Sequence, residues 1–170
     1  LSALLSQLSD EMREVTHSLR PDLLDQLGLV ASLKNLVSEF SSNNPQIKIS
    51  ELYDVDEQGQ QELGSDIEVA VYRICQECLN NISKYAQAPV VIVRLEKKDS
   101  EVILNLGDQG IGFDPRASGD LKTRKHQGIG LIGIRERVAD LGGTFNLSTE
   151  VGKGTFITVK LPLISRSANE

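Results

Sequence analysis

The chain has 170 residues, within the roughly 100 to 200 of a single domain, so one core with a short extra segment is expected and two independent domains are disfavoured. Its 18 Lys and Arg against 24 Asp and Glu give a net charge of −6, an acidic balance that argues against a nucleic acid partner. A hydrophobic fraction of 39% with only 4% aromatics and no Trp requires an aliphatic core.

The chain opens on Leu1 rather than Met, which reads as a fragment with further chemistry upstream. The opening LSALLSQLSD lacks a basic signal-peptide region, and no apolar run approaches the roughly 18 residues needed to span a bilayer. A cytoplasmic location without direct membrane contact is expected, in a parent protein that is free to be membrane-anchored. Leu1, Leu5, Leu8, Met12, Val15 and Leu19 are spaced 4, 3, 4, 3 and 4, as in the seam of a helix bundle, and Arg20-Pro21 stops the pattern. A second amphipathic helix is predicted from about Gly28, with Leu29, Leu33, Leu36, Val37 and Phe40 on one face and SSNNPQ at its end.

QIKISELYDV alternates as a strand, and DEQGQQELG reads as a polar loop. Ser65 and Glu68 form a capping-box pattern opening a long helix that ends near Ala86, before Pro89. VVIVRLE and EVILNLG read as a β-hairpin around KKDS. From Asp108 to Gly130 a Gly-rich loop is predicted, including the basic stretch LKTRKHQ, which has no apolar period. LIGIRERVADLG is the last helix, and TFNLSTE, VGKG and TFITVKLP close the chain as an antiparallel hairpin before a frayed tail, ISRSANE. The order predicts an α/β fold: a two-layer sandwich of a mixed sheet with helices on one face, preceded by a helical-bundle remnant. The expected divisions are residues 1–44 for the remnant and its connector, 45–165 for the main domain and 166–170 for the tail.

Cys75 and Cys78 have CxxC spacing but sit inside an apolar helical pattern, with no second ligand pair for zinc and no strand before them. They read as two small buried residues. GIGLIG, with Gly128, Gly130 and Gly133, fits the dinucleotide-turn pattern, yet it follows KTRKHQ rather than a strand and precedes a hairpin, so a Rossmann site is rejected. Glycines ahead of a helix still let backbone N–H groups meet an anion, which makes Gly128 to Leu131 a candidate phosphate site. In Asp108-Gln109-Gly110-Ile111-Gly112-Phe113 an acid at a strand end can accept from an amino group, although Asp and Gly are also ordinary turn formers. Glu77, Asn81 and Lys84 or Tyr85 fall one turn apart on one helix face, joining a carboxylate, an amide and an ammonium in a set that suits Mg²⁺ and phosphate, or a plain solvated face.

Together these segments resemble the catalytic ATP-binding domain of two-component sensor histidine kinases, within the wider gyrase, Hsp90, histidine kinase and MutL group, from about residue 60 to 162. QECLNNISKYA is similar to the family's N box, DQGIGF to its G1 box, and GIGLIGIRERV with GKGTFITVKLP to its G2 box and final strand. EVTHSLRPDLLDQLGLVASL is similar to the second bundle helix and connector of the subfamily that drives NarL-type response regulators.

The resemblance implies ATP and Mg²⁺ as cofactors, with Asn81 on the metal and Lys84 on the phosphates. Glu77 would polarise or join the metal shell. Tyr85 would line the nucleoside side, Asp108 would accept the adenine amino hydrogen, and Gly110 and Gly112 would shape the floor. Gly128, Gly130 and Leu131 would bring the helix N-terminus to the phosphates, and Thr155 would join the adenine network. Residues 116–127 would form a lid whose Lys122, Arg124 and Lys125 steer the polyphosphate. The implied partners are a response regulator with a receiver domain and a second copy joined through the bundle. The family's phosphoacceptor histidine is followed by an acid, whereas His17 precedes Ser18 and His126 falls in the lid, so the acceptor is expected upstream of Leu1. A serine kinase or ATPase on the same fold, and a non-catalytic nucleotide-binding module, are the alternatives.

Overall fold

The structure, a computed structural model, describes residues 21–115 and 121–163, with only the backbone described for residues 121–129. The leucine seam, His17, residues 116–120 and the tail from residue 164 lie outside the described residues, as do the side chains of Lys122, Arg124, Lys125 and His126.

Helix α1 (Asp22–Asn43) is two helices joined across a kink, because Gly28 at φ 75° and ψ 175° breaks it. The part after Gly28 is the amphipathic helix expected there, and its Leu29, Leu33, Val37 and Phe40 are buried. The turn before Gly28 was not expected; its first N–H group to bond is that of Leu24, on the Pro21 carbonyl at 2.9 Å. The break leaves Val30 N–H without a partner one turn earlier, and Gln60 Oε1 accepts it at 3.2 Å.

Strand β1 (Lys48–Asp54) follows, and then a short helix α2 (Glu57–Glu62) where a polar loop was predicted. Asp56 forms it, its Oδ1 accepting Gly59 N–H at 2.6 Å; six polar or glycine residues carry no apolar period that would have revealed it. Helix α3 (Ser65–Asn81) differs at its start from the predicted capping box: Gly64, not Ser65, is the cap residue and offers no side chain. Asp66 and Glu68 still place negative charge in the first turn, where the helix dipole favours it. At its far end α3 runs into a π-helical turn (Ile82–Ala86) that stops at Gln87 in the left-handed region, φ 48°.

Strands β2 (Val90–Lys98) and β3 (Glu101–Asp108) form the expected hairpin, with a turn of only Asp99 and Ser100. Helix α4 (Leu121–Asp140) corrects the predicted loop, for its backbone is already helical at Leu121 and runs through Gly128 and Gly130. Leu, Lys, Arg and Gln are strong helix formers and no Pro interrupts them, but a tract without an apolar face gives no periodic signal. Strands β4 (Thr144–Glu150) and β5 (Gly154–Pro162) close the chain.

The sheet has five strands in the order β1-β2-β3-β5-β4, with β1 parallel to β2 and the other pairs antiparallel. Val91, Val93 and Leu95 of β2, Leu104 and Leu106 of β3, and Ile157 and Val159 of β5 are buried on one face, beneath Val71, Ile74 and Cys78 of α3 and Ile134 and Val138 of α4. The other face carries a polar row, in which Thr158 Oγ1 donates to Asn105 Oδ1 at 2.9 Å. This is the predicted mixed sheet with helices on one face. The core extends upstream of the expected boundary at residue 45, because Leu24 and the buried side of α1 belong to it. Among the described residues no helix is long and apolar enough to cross a membrane.

Candidate functional site

A pocket opens between the end of α3, the π-helical turn, the C-terminal end of β3, the start of β5 and Leu131 of α4. Its polar floor begins with Asp108, the last residue of β3, which is 3% exposed. Asp108 Oδ1 accepts Gly110 N–H at 2.8 Å. Burial pushes the Asp108 carboxyl above the ordinary carboxylate value, while the N–H groups of Gly110 and Thr155 pull it back down. Thr155 stands opposite Asp108 in the β3–β5 register, and its hydroxyl lies 3.1 Å from that of Thr149 on β4.

The Gly-rich turn after Asp108 is wedged between two backbones. A Cβ on Gly110 would collide with the Ala86 carbonyl at the end of the π-helical turn. Gly112, at φ 55°, would collide with the Glu150 carbonyl if it carried a side chain. Ile111 N–H donates to Ala86 O at 2.8 Å, and Gly152 N–H donates to Ile111 O at 2.7 Å. The two glycines thus let one turn bridge helix and hairpin, which fixes the position of Asp108.

Cys78 and Asn81 of α3 and Ile82 and Tyr85 of the π-helical turn that continues it form one wall of the pocket. Asn81 Nδ2 donates to Glu77 Oε1 at 3.3 Å, which turns the opposite end of the amide, an oxygen, away from that carboxylate. A Cβ on Gly130 of α4 would collide with the Glu77 carboxylate and lie 3.4 Å from Asn81 Nδ2. Among the described residues no group of three or more His, Cys, Asp and Glu could hold a metal ion. A divalent cation here would take Asn81 Oδ1 as its protein ligand and complete its shell with phosphate oxygens and water, a set that suits Mg²⁺.

The structure therefore brings Asn81, Tyr85, Asp108, Gly112, Leu131 and Thr155 to one pocket, with Glu77, Gly110 and Gly130 directly behind its walls. Lys84 is exposed and does not line it. The wider i→i+5 turn at Ile82–Ala86 delays the side-chain phase, which keeps Tyr85 beside Asn81 and swings Lys84 outward. Gly128 lies within the helical backbone of α4 and not at its N-terminus. Ile82 and Ile157 are wall residues not proposed as site residues from the sequence; Cys78, read there as a buried residue, and Phe113, at the end of the Gly-rich stretch, also line the pocket. Thr149 gave no sequence signal, because its importance lies in a contact with Phe113, 36 residues away.

Apolar walls with an acceptor at one end and an oxygen ligand at the other suit a flat base and a metal-bound polyphosphate. The oxygen sensor histidine kinase NreB of Staphylococcus carnosus (strain TM300) is 34% identical over 163 residues, covering 96% of this chain and 44% of NreB. The signal transduction histidine-protein kinase/phosphatase DegS of Bacillus subtilis (strain 168) is 35% identical over 144 residues, covering 85% of this chain and 36% of DegS. The chain thus spans less than half the length of these relatives. Among solved structures, the histidine kinase domain of the Erythrobacter litoralis EL346 blue-light activated kinase superposes with a TM-score of 0.62 at 20% identity, over 79% of this chain and 61% of that one. Acinetobacter baumannii AdeS gives 0.58 at 18% identity, over 96% of this chain and 84% of that one, so both share the fold. With residues 66–165 matching the family's own sequence pattern across the whole of this pocket, the chain belongs to the histidine kinase-, DNA gyrase B- and HSP90-like ATPases.

Proposed function

We propose that this chain is the ATP-binding catalytic portion of a sensor histidine kinase. It binds Mg-ATP and presents the γ-phosphoryl to a histidine on an upstream bundle helix, from which a response regulator with a receiver domain takes it. The intact protein acts in the cytoplasm as a homodimer joined through that bundle. The observation that carries this reading is the placement of Asp108 with Thr155 and of Asn81 at separate parts of one pocket's wall. Asp108 accepts the adenine amino hydrogen, and the base lies between the apolar side chains of Ile82 and Ile157.

Asn81 would hold Mg²⁺ through its amide oxygen, and the bound metal would supply positive charge against the polyphosphate. Glu77 holds the Asn81 amide in orientation, and Gly130 leaves room for that carboxylate. Phosphoryl transfer asks mainly for positioning and charge stabilisation, which is what these residues supply. Neither His17 nor His126 has the acidic neighbour expected of the acceptor.

Calorimetric titration with a non-hydrolysable ATP analogue, with and without Mg²⁺, tests the reading. Binding should be Mg²⁺-dependent in the wild type and lose that dependence in Asn81→Ala. Adding a peptide of the upstream histidine helix with ATP should yield an acid-labile phosphate. Analogue binding without any such phosphate would leave a nucleotide-binding module in place of a kinase.

A further inference from the structure

Thr149 stands outside the pocket wall, yet its hydroxyl lies within hydrogen-bond distance of four groups beside it. Phe113 N–H donates to Thr149 Oγ1 at 3.1 Å, and the carbonyls of Gly154 and Phe113 lie 3.2 and 3.3 Å from the same oxygen. The hydroxyl of Thr155 lies 3.1 Å away. A hydroxyl has one proton and two lone pairs. The carbonyls can only accept, and two of them stand within reach of the Thr149 proton. One lone pair is taken by Phe113 N–H, and the other faces Thr155. With the Thr149 proton on a carbonyl, the Thr155 proton would point to Thr149 and the Thr155 oxygen would turn its lone pairs to the pocket.

We infer that Thr149 is a positioning residue that fixes the Thr155 hydroxyl as an acceptor and so makes the pocket select a base with an amino group at its 6 position. The inference rests on the proposed ATP binding and adds to it a cause of base selectivity. Ionised Asp108 is acceptor-only as well, and it is paired in register with Thr155. A 6-amino group satisfies such a floor. A 6-carbonyl presents lone pairs to lone pairs, and a site built to receive a donor rejects a ligand that lacks one.

ATP and ITP differ at that position, so the ratio of their dissociation constants with the wild type, Thr149→Val and Thr149→Ser is the test. The wild type should prefer ATP by at least about tenfold. Val keeps the shape of Thr but frees the Thr155 proton to donate, and the preference should shrink by about two- to tenfold, whereas Ser should keep it. A merely structural role would weaken both nucleotides together and leave the ratio unchanged, and that result would overturn the inference. Thr155→Val is the second variant, in case Thr149→Val does not fold: it should lose ATP affinity while keeping that for ITP, and retained selectivity would also overturn the proposal. Failure of the wild type to bind either nucleotide would overturn the ATP reading itself, and this inference with it.

Discussion

Gly110 lies against the backbone carbonyl of Ala86 so closely that a Cβ would collide with it, and the next residue, Ile111, donates its N–H to the same oxygen at 2.8 Å. The obstacle is backbone at the end of the π-helical turn that follows α3, which cannot swing aside as a side chain would. Gly110→Ala must therefore push the Gly-rich turn away from α3, disturbing the N–H that Asp108 accepts. Overpacking of this kind costs about 1 to 3 kcal/mol. The urea midpoint should fall at unchanged slope, and nucleotide affinity should fall with it. Gly133 is the control: nothing lies within 4 Å of a Cβ there and its φ is not in the positive range, so Gly133→Ala should stabilise α4 by up to about 1 kcal/mol.

Asp108 should show opposite effects on stability and on binding. Its folded-state pKa is raised, chiefly by burial. Between the unfolded value and this raised value the native state binds more protons than the unfolded chain, so stability falls as pH rises through that window. At neutral pH the buried carboxylate is a net cost to the nucleotide-free fold. Asp108→Asn should melt no lower than the wild type without nucleotide, yet lose a charge-assisted bond to the ligand, about 1.5 to 3 kcal/mol or roughly ten- to a hundredfold in affinity. Differential scanning calorimetry on the free protein and titration with ATP measure the two signs separately.

Gln60 caps a helix to which it does not belong. Its Oε1 accepts Val30 N–H just after the Gly28 break, and α2 is anchored to the sheet by Lys97 Nζ, 2.8 Å from Glu62 Oε2. Gln60→Ala should cost about 1 kcal/mol, the usual worth of an N-terminal cap. Gly28→Ala should cost as much or more, since φ 75° is a conformation that L side chains rarely adopt. If Gln60 acts only as this cap, the two losses should not add, because each removes the same junction; a double-mutant cycle by thermal unfolding measures the coupling.

The elements with a strong period were legible in the sequence. Alternation in VVIVRLE and EVILNLG located β2 and β3, and the apolar stripe from Ile67 to Ile82 located α3. Most of the candidate pocket followed, because Asn81 sits on that stripe and Asp108 ends a strand. What escaped had no period to display. Helix α2 depends on one cap from Asp56, and the first turns of α4 are polar all round. The position of Lys84 turned on a π-helical turn, a change of one residue in hydrogen-bond register that composition does not encode. Thr149 matters through contacts that exist only once β4, β5 and the Gly-rich turn have met.

Cys75 and Cys78 supply the last prediction. Both are buried; burial raises the Cys75 thiol to about 12 and the Cys78 thiol well above its ordinary value. The thiolate is the reactive form, so neither should react with a disulfide reagent such as dithionitrobenzoate while the protein is folded. Labelling should proceed through unfolding, with a rate that rises in urea as the population of the open state rises. Cys78 also lines the pocket, so a ligand there covers it and stabilises the fold around it. At a hundred times its dissociation constant, a ligand that binds only the native state adds about 2.7 kcal/mol, which slows labelling from the unfolded state roughly a hundredfold. Mg-ATP should protect both cysteines to the same extent, since both report the same global opening. Protection of Cys78 alone, read by mass spectrometry of the labelled peptides, would show instead that this thiol is reached through the pocket of the folded protein.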